Sequence, residues 1–206
     1  MKPRVGVLIS GRGSNMQALI RAAANADYPA EVALVISNRA DAVGLDIARQ
    51  HGIAARAIPS RNFRTDRAGH EVQIHEALIG AGCTIVCLAG YMRLLTPEFV
   101  TLWAGRMLNI HPSLLPAFPG LDTHARALAA GVKIHGCTVH LVTAAMDEGP
   151  ILAQAAVPVL PDDTETVLGD RVLTQEHIIY PMALLHYIDS KPTHPESVAA
   201  LLSPCA

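Results

Sequence analysis

The sequence predicts an α/β fold: a mostly parallel twisted sheet with helices on both faces and an antiparallel C-terminal part. Three observations carry that expectation. Short β-rich runs alternate with segments of helical apolar spacing through the first half of the chain. The longest apolar runs are of strand length, well short of the roughly 18 to 20 residues that a membrane span requires. After Pro119, two strand-like runs follow one another with only a short polar turn between them, as adjacent antiparallel strands do.

Taken in order, the strand runs are "RVGVLIS" (4–10), "EVALVIS" (31–37), "AARAI" (54–58), "TIVCLA" (84–89) and "RMLNI" (106–110). Between them Ser14 to Ala26, Val43 to His51, Asp66 to Ala81 and Pro97 to Ala104 are rich in helix formers, with apolar residues at a spacing near 3.6. Such a β-α-β series gathers ligands at the carboxyl ends of its strands. "KIHGCTVHLVT" (133–143) and "PILAQAAVPV" (150–159) form the antiparallel pair. A helix from about Thr164 to Ile188 follows, which Pro181 should bend or split through its missing amide and its ring. The tail 191–206 has little periodicity and is expected to be loosely held at its end. One domain over 1–190 is expected, with an N-terminal half of about 1–105 and a C-terminal half of about 106–190.

Composition narrows the function. Half of the 206 residues are hydrophobic, 17% are charged and the mean hydropathy is +0.29, the profile of an ordered globular chain. Sixteen basic against eighteen acidic side chains give a formal charge of -2, which argues against nucleic acid or an anionic membrane as partner. No secretory signal is visible at the N-terminus, so the cytoplasm is the expected location. Cys83, Cys87, Cys137 and Cys205 lack a paired metal-ligand spacing and read as reduced thiols. Zinc held by His135, Cys137 and His140 is opposed by strand alternation, which sends Cys137 away from His140.

Three stretches could carry chemistry. "SGRGSNMQ" (10–17) is a glycine-rich turn between strand and helix; Ser14 and Asn15 are good caps, and amides at a helix start attract phosphate. Met16 occupies the third glycine position of a dinucleotide fingerprint, so one phosphate fits better than a pyrophosphate. The same glycines could serve only a tight turn. In "MLNIHPSLLP" (107–116), alternation puts Asn109 and His111 on one face of a strand, and Pro112 keeps His111 out of helical torsions. At a strand end that pair can meet a substrate; inside the core it would be a satisfied structural pair. "TAAMDEGPILAQ" (143–154) offers Asp147 and Glu148 in a turn. A turn carboxylate is usually solvated, but Asp147 beside His111 would favour the imidazolium, raise its pKa above about 6.5 and form a proton shuttle.

Taken together, "ISGRGSNMQAL", "VISNRADAVGL", "LAGYMRLLTPEFV", "GRMLNIHPSLLPAFPGLDTH", "HGCTVHLVTAAMDEGPILAQ" and "RVLTQEHIIYP" resemble, in order, the folate-dependent formyltransferase family over residues 5 to about 188. The Asn-x-His-Pro-Ser-Leu-Leu-Pro segment is specific to the wider group. The Gly-x-Gly-Ser-Asn start, and an end near residue 206 without an added domain, favour the branch that acts on glycinamide ribonucleotide. The resemblance implies a Rossmann-like formyltransferase domain and transfer of the formyl group of 10-formyltetrahydrofolate to the amine of that ribonucleotide. The product is formylglycinamide ribonucleotide, an intermediate of purine biosynthesis. It also implies two small-molecule substrates, a monomer or homodimer, and no metal.

Carried onto this chain, the resemblance implies that Gly13, Ser14 and Asn15 hold the substrate's phosphate. It gives the ribose and glycine portion to Leu173, Thr174, Gln175 and Glu176, with Glu176 foremost. Folate is expected along Met92, Arg93, Leu94 and Leu95, at Asn109, and against Thr143, Ala144, Ala145, Met146 and Asp147. Asn109, His111 and Asp147 form the implied catalytic set. An arginine for the folate tail falls on Arg67 or Arg64. Two positions depart from the family: Arg12 stands where Asn is frequent, and Asp122 where His is common. A hydrolase of formyl-folate, a methionyl-tRNA formyltransferase and a sugar-amine formyltransferase share the Asn, His and Asp. From another class, a phosphate- or folate-binding module without turnover would use the same turn.

Overall fold

The computed structural model describes residues 2–190. The tail expected at 191–206, with Cys205, lies outside them. The chain forms two compact units, one ending at Asn109 and the other beginning at Ile110.

In the first unit β1 (Arg4–Ile9), β2 (Glu31–Ser37), β3 (Ala54–Ala57), β4 (Ile85–Leu88) and β5 (Met107–His111) are strands, the last two residues of β5 opening the second unit. They pair in parallel in the order β3-β2-β1-β4-β5. Between them run α1 (Ser14–Ala23), α2 (Val43–Gln50), a 3-10 turn (Ser60–Phe63), α3 (Arg67–Gly80) and α4 (Pro97–Leu102). Every residue of β1 after Arg4 is buried, as a central parallel strand requires. Gly6 and Ile9, three apart on that strand, show how its two faces are covered. A Cβ on Gly6 would come 2.1 Å from Leu78 of α3, whereas Ile9 reaches toward Gly44 of α2. Helices therefore lie on opposite faces of β1, as the sequence predicts.

The strand order reverses between β1 and β4, and the crevice at such a switch point is where open parallel sheets bind ligands. The loops leaving β1 (Ser10–Gly13) and β4 (Ala89–Thr96) meet there. α1 stops at Ala23 rather than the expected Ala26, because the Asn25 side chain accepts the Asp27 amide at 3.0 Å and turns the chain away. α3 begins one residue late: Asp66 is its cap, accepting the Gly69 amide at 2.8 Å.

The second unit holds α5 (Thr123–Ala129), β6 (Ile134–Leu141), β7 (Ile151–Pro158) and α6 (Glu165–Asp189). β6 and β7 are antiparallel, in register from Ile134 opposite Pro158 to Val139 opposite Ala153, with an irregularity before His140. α6 packs on both strands. Of the two outcomes expected at Pro181, a split does not occur: α6 runs through it as one helix. Ile179 and Tyr180 before the proline, and Ala183, Leu184 and Tyr187 after it, are all buried, so packing holds the helix on both sides of the missing amide. α5 is an element the sequence reading leaves out. Cys83, Cys87 and Cys137 are buried, reduced thiols. Among the described residues no helix is long and apolar enough to cross a membrane.

Candidate active site

The glycine-rich turn is built by Gly13, which takes φ +69° and caps α1 with its own backbone. The Gln17 amide donates to the Gly13 carbonyl at 2.9 Å, so Ser14 is the first helical residue and neither Ser14 nor Asn15 is the cap. The reason is steric: a glycine takes a positive φ at no cost and leaves no side chain over the first turn, whose amides have no acceptor within the helix. Gly44 lets α2 approach closely, its amide donating to the Gly11 carbonyl at 3.1 Å. The result is a cleft of about 430 Å³ whose lining includes Ser10, Gly13, Asn15, Asn38, Arg39 and Met92. Arg12 also lines it and is exposed, while Arg39 is tied to Asp41 at 2.8 and 3.2 Å.

Ser10 ties two of these segments together. Its hydroxyl donates to Asn38 Oδ1 at 2.6 Å and accepts the Met92 amide at 2.8 Å. Met92 begins the expected folate strap, where it and Leu94 are 66% and 61% exposed, an unusual outlay of apolar surface on adjacent turns of chain. Arg93 and Leu95 are half-buried. Arg64 and Arg67 are both exposed, Arg64 at φ +46° and Arg67 at the start of α3.

Strand β5 carries Asn109, half-buried, and His111, 6% exposed, two residues apart on one face as alternation predicts. His111 Nδ1 lies 3.5 Å from Asp147 Oδ2, and its Nε2 lies 3.1 Å from the Phe118 carbonyl. Both ring nitrogens thus face oxygen atoms. Asp147 is held at φ +58° in the β6–β7 turn, with its Oδ2 also accepting the Gly120 amide at 2.8 Å. Its other oxygen lies 3.8 Å from His140 Nε2. Burial keeps the His140 imidazole below its usual range, against the Leu141 carbonyl and Asp147, which favour the charged form.

Thr138 orders the chain after His111. It donates to the Ser113 carbonyl at 2.6 Å and accepts from the Leu115 amide and the Gln154 side chain, each at 3.0 Å. Thr143, Ala144, Ala145 and Met146, the expected folate loop, are all exposed. On α6, Glu176 is 6% exposed, Leu173 and Gln175 are half-buried, and Thr174 is exposed. Asp122, at φ +55°, caps α5 with its backbone and is exposed.

The sequence reading weighed His140 only as a zinc ligand and gave no role to Thr138, Ser10, Asn38 or Gly44. His140 sits in the quoted "HGCTVH" and shares a strand face with Thr138; that alternation was the available signal. Burial pushes the Cys137 thiol up to about 12, helped by Glu176, so it stays protonated and is a poor metal ligand. Among the described residues no three His, Cys, Asp or Glu side chains gather closely enough to hold a metal ion.

Residues 3–184 match the formyl transferase family model. The chain is 47% identical over 195 residues to phosphoribosylglycinamide formyltransferase of Escherichia coli (strain K12), covering 95% of this chain and 92% of that protein. It is 48% identical over 183 residues to the human trifunctional purine biosynthetic protein adenosine-3, covering 89% of this chain but only 18% of that longer protein. Its fold is similar to the crystal structure of phosphoribosylglycinamide formyltransferase from Brucella melitensis, with a TM-score of 0.86 and 52% identity over 96% of this chain and all of that one. Glycinamide ribonucleotide transformylase 1 from Symbiobacterium toebii superposes with a TM-score of 0.89 and 48% identity, covering 92% of this chain and 89% of that one.

Proposed function

The chain belongs to the formyl transferase family, and we propose that it transfers the formyl group of 10-formyltetrahydrofolate to the amine of glycinamide ribonucleotide. The products are formylglycinamide ribonucleotide and tetrahydrofolate, a step of purine biosynthesis. The relatives named for this reaction match nearly the whole chain. The observation that carries the chemistry is the Asp147 carboxylate 3.5 Å from His111, on a strand that presents Asn109 two residues earlier.

As the amine attacks the formyl carbon, negative charge grows on the formyl oxygen. Asn109 donates its side-chain amide to that oxygen, and protonated His111 adds a charge-assisted bond from Nε2, which exchanges the Phe118 carbonyl for the formyl oxygen; one such donor is worth about 3 to 4 kcal/mol of barrier. Asp147 orients His111 and counters its charge. A proton also leaves the attacking amine and reaches the departing folate nitrogen, through water, His111 or both. The carbon arrives already activated on the folate, so the transfer draws on no metal or redox group.

The substrate's phosphate takes the turn of Gly13, Ser14 and Asn15, whose bare first helical turn suits a single anion. Arg12 adds a cation on the rim of the same cleft. Leu173, Thr174, Gln175 and Glu176 receive the ribose and glycine portion. Folate lies along Met92 to Leu95, at Asn109 and against Thr143 to Asp147, with Arg67 toward its tail. The enzyme works in the cytoplasm on small molecules, apart from nucleic acid and membranes, as a monomer or homodimer.

Absorbance of the purified protein tests the reading. Tetrahydrofolate release is expected only when glycinamide ribonucleotide and formyl-folate are both present. Release with formyl-folate alone would indicate a hydrolase, and silence from pH 6 to 9 a binding module. His111→Ala and Asp147→Asn should each lower kcat by about 100-fold or more, the loss expected for an acid-base or electrostatic group. Near-normal rates in both would sink the assigned roles.

A further inference from the structure

Glu71 has no part in the chemistry above, yet this α3 carboxylate is only 4% exposed. Burying a carboxylate is costly unless hydrogen bonds replace its water. Glu71 receives three of them, all from Thr96. The Thr96 amide donates to Oε1 at 3.0 Å and to Oε2 at 3.2 Å, and the Thr96 hydroxyl donates to Oε2. Thr96 also caps α4, its Oγ1 accepting the Phe99 amide at 3.3 Å. Glu71 therefore grips the point where the segment Tyr91–Thr96 ends and α4 begins.

The other end of that segment is pinned as well. The Met92 amide donates to Ser10 Oγ at 2.8 Å, on a serine that is itself 7% exposed. The strap turns Met92 and Leu94 outward and leaves Leu95 only half-buried, so its own packing does little to fix its path. A strap that offers Met92 and Leu94 to a planar ligand gains affinity by being held in the receiving shape beforehand.

We propose that Glu71 is a positioning residue for the formyl donor, holding Thr96 so that Met92 to Leu95 stand ready to receive the folate. This rests on the reading of that strap as the folate-binding segment. Glu71 touches neither substrate and acts through Thr96 alone.

Steady-state kinetics and amide hydrogen exchange on the full chain test it. Glu71→Ala should raise KM for formyl-folate about tenfold while KM for glycinamide ribonucleotide and kcat stay within about twofold, the pattern of lost binding to one substrate. Amide exchange should quicken over residues 92–99. Glu71→Gln keeps an oxygen for the Thr96 amide and should restore most of the folate affinity. If Glu71→Ala does not fold, Thr96→Ser, which keeps the hydroxyl for Glu71 and the α4 cap, should leave the folate KM within twofold, while Thr96→Ala, which loses the hydroxyl bond to Glu71 together with the cap on Phe99, should still give a rise of about threefold. Leu94→Ala separates the proposal from the reading beneath it. A folate KM that rises in Leu94→Ala but not in the Glu71 and Thr96 variants leaves the strap in place and removes Glu71 from it. A folate KM unmoved by Leu94→Ala removes the strap and the proposal together. Equal rises in both KM values, or a lower Tm with both KM values unchanged, would make Glu71 a structural brace and overturn the proposal.

Discussion

Gly149 is the residue on which the position of Asp147 depends most directly. A Cβ there would stand 1.7 Å from the Leu141 carbonyl oxygen, inside backbone rather than against a movable side chain. The close approach lets the Leu141 amide reach the Pro150 carbonyl at 2.9 Å and close the turn that carries Asp147 at φ +58°. Gly149→Ala should cost about 3 kcal/mol, at the upper end for overpacking, and lower kcat through the displaced Asp147. Urea unfolding and turnover measured together check it; a stable, fully active variant would show that the turn yields. The residues that touch were partly legible. Asn109, His111 and Asp147 stand in runs whose alternation and turn residues give their directions, and the resemblance supplies their association. Glu71 and His140 were not legible, because nothing local in "GHEVQIHE" or "TVHLVT" says that a neighbour 25 residues away, or a turn carboxylate, will enclose them.

At the scale of elements, apolar periodicity placed all seven strands and five of the six α-helices among the described residues within a few residues, because each buries a regular face. It failed on α5, where "THARALA" spans only seven residues and buries just Thr123 and Ala127, too short a stripe to rise above the background. α6 is the reverse case, a helix whose local flaw is overridden by packing. Its buried residues continue past Pro181, while Thr164 caps its start by accepting the Val167 amide at 3.3 Å. A proline within a helix costs about 3 kcal/mol in an unsupported setting, and packing returns only part of that. Pro181→Ala should therefore stabilise the protein by about 1 kcal/mol or more, read as a higher urea midpoint with an unchanged slope. A lower midpoint would mean that β6 and β7 are shaped to the proline rather than merely tolerant of it.

Over the whole chain, acid should act first through histidines that the fold keeps neutral. Burial lowers His70 in the first unit and His124, His135 and His140 in the second. His135 is lowered furthest, to about 4, by burial first and then by His124, whose Nδ1 lies 3.1 Å from His135 Nε2. A histidine of the unfolded chain takes up its proton near pH 6.5, so between there and the lower native values the unfolded state binds more protons. Stability then rises with pH across that window and is lost as pH falls through it. From pH 6.5 down to about 4, His135 alone accounts for a loss on the order of 3 kcal/mol. Asp163 acts in the same direction only at lower pH, since hydrogen bonds from Arg171 hold it near 2. Three of the four lowered histidines follow Ile110, so hydrogen exchange on mild acidification should quicken in the second unit before the first. His135→Gln, which cannot titrate, should flatten the decline between pH 6.5 and about 4. An unchanged slope in that variant would assign the acid sensitivity to the remaining histidines.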